Sequence, residues 1–286
     1  IANKTLPIRR KNYIYLMKLY KYKYRYIKLH ILFNALINNS HGIIISCCQD
    51  SKKITNISLN FSRSVFKNVN AMRRTKYCLD YWIPFIVKYS KHENKKFAAL
   101  IDSSDEGYAD YLNMDSEHKN KLIPDLYSMI TNNEIDKNFI PLDFESFKNK
   151  WLQKKNIVLW RGGTTGGYYS NFQDLNSLQR IQICKKYHNV NGLDIKITRI
   201  VQNGISKKEV RNWLIQHNIY SKEIKEERFE SYKYYPDIPG NALAWGTIKK
   251  YLIGNLIFKP YTKRKLFYYQ FMEPWKDYIP VDENFF

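Results

Sequence analysis

Two rhythms of apolar and polar positions alternate along the chain. Short apolar runs recur as IIISCC (43–48), FAALID (97–102), NIVLWR (156–161), DIKITRIV (194–201) and NLIFKP (255–260). Runs of this length, rich in β-branched and aromatic side chains, predict buried strands. Between them lie stretches with helical spacing, roughly 64–76, 144–155, 176–187, 206–217 and 242–253. Strands alternating with helices predict an α/β protein with parallel sheets. Ligands of such sheets bind at the carboxyl ends of the strands, so the residues just after each strand are the first candidates for chemistry.

Residues 1–40 break this rhythm. They carry no acidic side chain, and residues 11–37 read KNYIYLMKLYKYKYRYIKLHILFNALI. The pattern favours an amphipathic helix that packs Leu16, Leu19 and Tyr20 while its lysines face water. A membrane-surface helix and a basic nucleic-acid patch are the functional alternatives. The stretch IDKNFIPLDFESFKNKW (135–151) reads as a connection followed by a helix. It divides the chain into an N-terminal half, 1–140, and a C-terminal half, 141–286.

Charge changes the picture. There are 47 Lys and Arg against 26 Asp and Glu, a formal net charge of +21. Such a field favours anionic partners: nucleic acid, an anionic membrane surface or a phosphorylated small molecule. A general abundance of Lys, Asn, Ile and Tyr explains it equally well. The cysteines, Cys47, Cys48, Cys78 and Cys184, form no CxxC pair. That pattern predicts neither a zinc site nor a disulfide framework, and it fits a reducing compartment. No apolar run approaches the roughly 18 residues that span a bilayer. The expected location is the cytoplasm or the cytoplasmic face of a membrane. Because the sequence opens on Ile1, a secretory-pathway lumen stays open.

Three segments carry candidate chemistry. Trp160-Arg161-Gly162-Gly163-Thr164-Thr165-Gly166-Gly167 comes directly after the strand NIVLW. Glycines and threonines at a strand end let backbone N–H groups approach an anion, and Arg161 adds a forked cation. No GK[ST] comes next, so this is not a Walker loop. Arg180, in the next helix, can point back at the same anion. The second segment is Gly240-Asn241-Ala242, at the expected start of the helix 242–253, where free N–H groups and the helix dipole favour anions. Ordinary capping by Asn241 is the alternative. The third is the pair Asp102 and Asp105 on the turn after FAALI, candidate general bases in a cleft or simply turn residues.

Taken together and in this order, the segments resemble glycosyltransferase family 90. That family comprises protein O-glucosyl- and O-xylosyltransferases, capsule-associated proteins and lipopolysaccharide-modifying proteins. The resemblance rests on LIPDLY (122–127), WRGGTTGG (160–167) with Arg180, YKYYPDIPGNALAWGTIKKYLIGNLIFK (232–259) and PWKDYIPV (274–281). It covers about residues 97–286. It implies a GT-B arrangement, two Rossmann-like halves facing a cleft, truncated at the C-terminus because relatives continue beyond the last motif. It also implies an inverting, metal-independent transfer of glucose or xylose from UDP-glucose or UDP-xylose to a hydroxyl on a glycan, lipopolysaccharide or protein. No cofactor beyond the donor is implied, a peripheral membrane contact is compatible, and no nucleic acid is expected.

Carried over by position, Arg161, Gly162, Gly163, Thr164, Thr165 and Gly166 line the donor's diphosphate and sugar. Arg180 bonds the diphosphate, Gly240, Asn241 and Ala242 form the donor-side loop, and Asp105 is the base with Asp102 as fallback. Two positions depart from the family: Gly246 stands where eukaryotic relatives carry an arginine, and Asp277 where a histidine is usual. A basic nucleic-acid-binding protein and a non-catalytic relative of the family are the rival readings.

Overall fold

A computed structural model describes residues 143–282 continuously. Before them it describes 27–31, 42–50, 53–61, 74–77, 79–84, 97–102, 112–113, 115–116, 122–125 and 128. The chain forms two compact units, residues 1–133 with 265–267, and residues 134–264 with 268–286.

The first unit holds a five-stranded sheet of β1 (Ile27–Ile31), β2 (Gly42–Asp50), β3 (Lys53–Phe61), β4 (Phe97–Asp102) and β5 (Leu112–Asn113), in the order β1-β3-β2-β4-β5. A short pair joins β6 (Asp115–Ser116) to β11 (Lys265–Leu266). The sheet is mixed: β2 runs antiparallel to both β3 and β4, whereas β1–β3 and β4–β5 are parallel. This corrects the expectation of a Rossmann-like parallel sheet here. Only Ser51 and Lys52 separate β2 from β3, and a two-residue link forces neighbours antiparallel, because a parallel crossover needs a dozen residues or more. Residues 27–31 are strand, not the expected helix. Leu16, Leu19 and Tyr20 lie outside the described residues, as does the predicted helix 64–76 except for its end, where 74–77 are helical.

The second unit is an α/β layer around a parallel sheet of five strands. Its helices are α1 (Phe144–Gln153), α2 (Phe172–Ser177), α3 (Gln179–Tyr187), α4 (Lys207–Gln216) and α5 (Thr247–Leu252). Its strands are β7 (Lys155–Gly163), β8 (Leu193–Arg199), β9 (Tyr232–Pro236), β10 (Leu256–Pro260) and β12 (Ile279–Val281), in the order β12-β10-β9-β7-β8, every pairing parallel. The predicted strands near 156, 194 and 255 are all present. So is β9, whose sequence, YKYYP, lacks the alternation that marks a strand.

Local chemistry sets the helix ends. Asp143 caps α1, Asn171 caps α2 and Ser206 caps α4, each side chain accepting the N–H three residues on. Leu178, in extended conformation, separates α2 from α3. Leu159, Ile181, Ile197, Val210, Leu214, Ile219 and Ile257 are fully buried and Trp160 nearly so, each burial worth about 1.5–3 kcal/mol. Among the described residues, no helix is long and apolar enough to cross a membrane.

Candidate functional site

The order of the second sheet creates a switch point. β7 lies inside the sheet; the chain leaves it first to β8 on one side, then to β9 and β10 on the other. In open α/β sheets, the crevice for a ligand opens between the two strands at which the connections diverge, at their carboxyl ends. Those strands are β7 and β9. Their carboxyl ends lead into Thr164–Gly167 and Asp237–Ala242, which contain the two glycine loops singled out in the sequence.

The loops are joined. The Gly166 N–H donates to Asn241 Oδ1 at 2.9 Å. Gly166 has φ +118°, a conformation that side chains disfavour. A Cβ on Gly240 would collide with the Thr165 hydroxyl and lie 3.1 Å from Arg180 Nη2, so a larger residue here would displace both side chains. Arg180, on α3, is the link between the loops: Nε donates to the Pro239 carbonyl (2.8 Å), Nη2 to the Ile238 carbonyl (2.8 Å) and Nη1 to the Gly163 carbonyl (3.2 Å). Its guanidinium also lies over the Trp160 ring, 5.2 Å from the centroid. Burial lowers its pKa to about 10, which leaves it charged at neutral pH. Three of its five N–H groups are engaged, and among the described residues the other two have no hydrogen-bond partner. Among the described residues, the Thr165 and Gly167 N–H groups also have no hydrogen-bond partner. A cation with spare donors and two spare amides at a switch point suit an anion.

Several predicted residues have other tasks. Arg161 lies within β7, not after it. Its Nη2 meets Asp194 Oδ2 at 2.6 Å and its Nη1 bonds the Trp160 and Asp194 carbonyls, both at 2.8 Å. In register Asp194 faces Leu159, so the Arg161 side chain leans back along β8, away from the strand ends. Thr164 is fully buried, donating to the Val201 carbonyl (2.8 Å), accepting from the Val201 N–H (2.9 Å) and contacting the Tyr169 hydroxyl at 3.1 Å. A Cβ on Gly162 would sit 2.3 Å from the Trp160 indole, so this glycine makes room for a core ring. Gly163 contributes its carbonyl to Arg180.

The helix expected to start at 242 starts at Thr247 instead, after Gly246, which offers no capping side chain. Gly240, Asn241 and Ala242 therefore belong to a loop, closed by the Gly240 N–H donating to the Ala242 carbonyl at 2.9 Å. The expected dipole contribution at 240–242 is absent, and Asn241 caps no helix. Around Gly246 a Cβ would meet nothing within 4 Å. Asp102 ends β4, in register with Gly42 and Asn113; Asp105 lies outside the described residues. In the LIPDLY stretch, Asp125 is fully buried and accepts from the Ser128 N–H and hydroxyl at 3.1 and 2.6 Å, the same contacts that Asp143 makes with Ser146 where it caps α1. Asp277 accepts the Glu273 N–H at 2.7 Å.

Asp237 is a residue of this region that the sequence motifs alone do not single out. It sits immediately after β9, is 4% exposed, and accepts from the Thr247 hydroxyl (2.6 Å) and the Tyr269 hydroxyl (3.2 Å). Burial raises its carboxyl pKa, against opposing effects from Lys259, Thr247 and Tyr269. The available signal was its position in YPDIPGN, a carboxylate between two prolines directly before a glycine loop. Among the described residues, no cluster of three or more His, Cys, Asp or Glu side chains is arranged to hold a metal ion. Compared with known proteins, the chain matches no family model and no curated protein.

Proposed function

We propose that the chain binds a nucleoside-diphosphate sugar at the β7–β9 switch point and transfers the sugar, with inversion, to an acceptor hydroxyl. The observation that carries this reading is the joining of the 164–167 and 237–242 loops through Gly166, Asn241 and Arg180. The reaction itself comes from the resemblance to glycosyltransferase family 90, with UDP-glucose or UDP-xylose as donor and a glycan, lipopolysaccharide or protein as acceptor.

The acceptor oxygen attacks the anomeric carbon as the bond from that carbon to the diphosphate oxygen breaks. UDP departs with the bonding electrons, and the acceptor proton passes to a base. Asp105 is the proposed base, for a contribution of about 10²–10⁴-fold. Charge grows on the leaving diphosphate. Fixed donors aimed at that charge stabilise it more than water does, because they need no reorganisation. The unengaged N–H groups of Arg180, with the amides of Thr165 and Gly167, are the donors proposed for this work. Arg161 leaves the donor-binding set and becomes a strand-bracing residue.

Calorimetric titration with UDP, with and without EDTA, tests the site. The wild type is expected to bind UDP equally in both conditions. Gly240→Ala, which pushes on Thr165 and Arg180, is expected to weaken binding at least tenfold; Arg161→Ala is expected to leave affinity nearly unchanged. A folded protein that takes up no UDP overturns the reading. Turnover of UDP-glucose or UDP-xylose by the wild type, reduced a hundredfold or more in Asp105→Asn, tests the reaction.

A further inference from the structure

Within the second unit, between α3 and the sheet, lies a cavity of about 210 Å³. Val158, Leu193, Ile195, Pro236 and Phe258 line it from four strands, Ile183 and Tyr187 from α3, and Ile238 from the loop after β9. No polar surface faces it. Ile183, Tyr187, Ile195, Pro236 and Ile238 are buried, whereas Val158, Leu193 and Phe258 are only half-buried. The cavity is mostly enclosed and has a mouth open to solvent.

Protein interiors are packed as densely as organic crystals, and an unfilled void of this size costs the contacts its lining would otherwise make. Water gains little there, because it needs two to four polar partners and the lining offers none. An apolar cavity of about 150 Å³ already accepts benzene or xenon, and this one is larger. From its volume, its wholly apolar lining and its open mouth, we propose that the cavity is a binding site for a compact hydrocarbon group, the size of a single aromatic ring or a short alkyl chain. The mouth sets two sources for one chemistry: a free small hydrocarbon, or the end of an alkyl chain whose polar head stays outside. The cavity shares Ile238 with the loop after β9, but the proposal requires no nucleotide at the switch point and stands whether or not one binds there.

Methyl-resolved NMR of the full chain tests it, with toluene as the free probe and hexanoate as the headed one. Toluene is expected to shift the Ile183, Ile195 and Ile238 methyl signals saturably and to leave Leu214 and Ile219, buried elsewhere in the unit, unmoved. The same pattern with hexanoate assigns the site to the tail of a larger molecule; toluene alone assigns it to free small hydrocarbons. Neither probe shifting these methyls, or shifts spread evenly over all core methyls, overturns the proposal. Ile183→Phe, which fills the void, is expected to abolish the toluene shifts at Ile195 and Ile238. Should that variant not fold, Val158→Phe fills the void from β7 instead, and the toluene response is expected to fall at least tenfold in apparent affinity. An unchanged response in a folded filling variant also overturns the proposal.

Discussion

At the scale of single residues, the sheet distinguishes cations that hold the fold from one that faces the loops. Arg161 is 9% exposed and its partner Asp194 38%. Solvent screens part of that pair, so the bonds to the Trp160 and Asp194 carbonyls carry much of its worth. Arg161→Ala is expected to lower stability by about 1–2 kcal/mol, measured by urea denaturation, with little change in UDP affinity. Cys184 is buried on α3, and burial pushes its thiol up to about 12. Thiolate is the reactive form, so Cys184 is expected to resist iodoacetamide at pH 8 until the protein is unfolded, as read by mass spectrometry. Asp237 gives a pH signature. Its carboxyl, facing Lys259, Tyr269 and Arg180, is raised above the usual range by burial. The native state then holds the proton to higher pH than the unfolded state, so stability falls as pH rises from about 3.9 through the folded value. Denaturation of wild type and Asp237→Asn across that window checks the sign. The advantage of wild type over variant is expected to shrink as pH rises; growth instead would mean that Lys259 pairing dominates burial.

At the scale of elements, caps and links decide what forms. Ser206 accepts the Glu209 N–H at 3.2 Å at the start of α4, so Ser206→Ala is expected to cost about 1 kcal/mol in urea denaturation. Elements with a pure local signal were legible in the sequence: β4, β7 and β10 carry apolar runs, β8 alternates apolar and polar positions, and α4 has both its cap and its apolar spacing. β9 was hidden because three tyrosines and a lysine show no alternation and Pro236 ends the run, yet as a central strand it sets the switch point. β3 had a readable alternation at Ile57, Leu59 and Phe61. Its antiparallel pairing with β2 was hidden because the Ser51-Lys52 link has no glycine or asparagine to mark a hairpin. The late start of α5 results from Gly246 and the loop closed at Gly240, a tertiary arrangement that helical spacing alone does not encode. For the candidate site, both glycine-rich segments are visible in the sequence, whereas the partner of Arg161 is not, since only strand register brings its side chain to Asp194.

At the scale of the whole molecule, a net charge of +21 acts on any anion before it reaches a loop. Interactions between exposed charges are screened beyond a Debye length, which shrinks from about 30 Å at 0.01 M salt to about 8 Å at 0.15 M. A steered encounter therefore slows as salt is added, whereas contacts formed inside a crevice hold the bound ligand with little salt dependence. If UDP binds at the switch point, stopped-flow measurements are expected to show its association rate falling several-fold between those salt concentrations, with dissociation nearly constant. Gly240→Ala should change the opposite quantity, raising the dissociation rate and leaving the salt slope of association intact, because it disturbs the loops and not the field. Duplex DNA offers the contrast. Binding that rests on phosphate neutralisation alone loses about 10³–10⁵ in affinity between 50 and 200 mM salt when six to ten phosphates are contacted. Such a slope for DNA, together with no saturable UDP binding, would shift the reading of this charge from collecting a small anionic donor to holding a nucleic acid. A salt effect confined to UDP association would tie the charge to the crevice between β7 and β9.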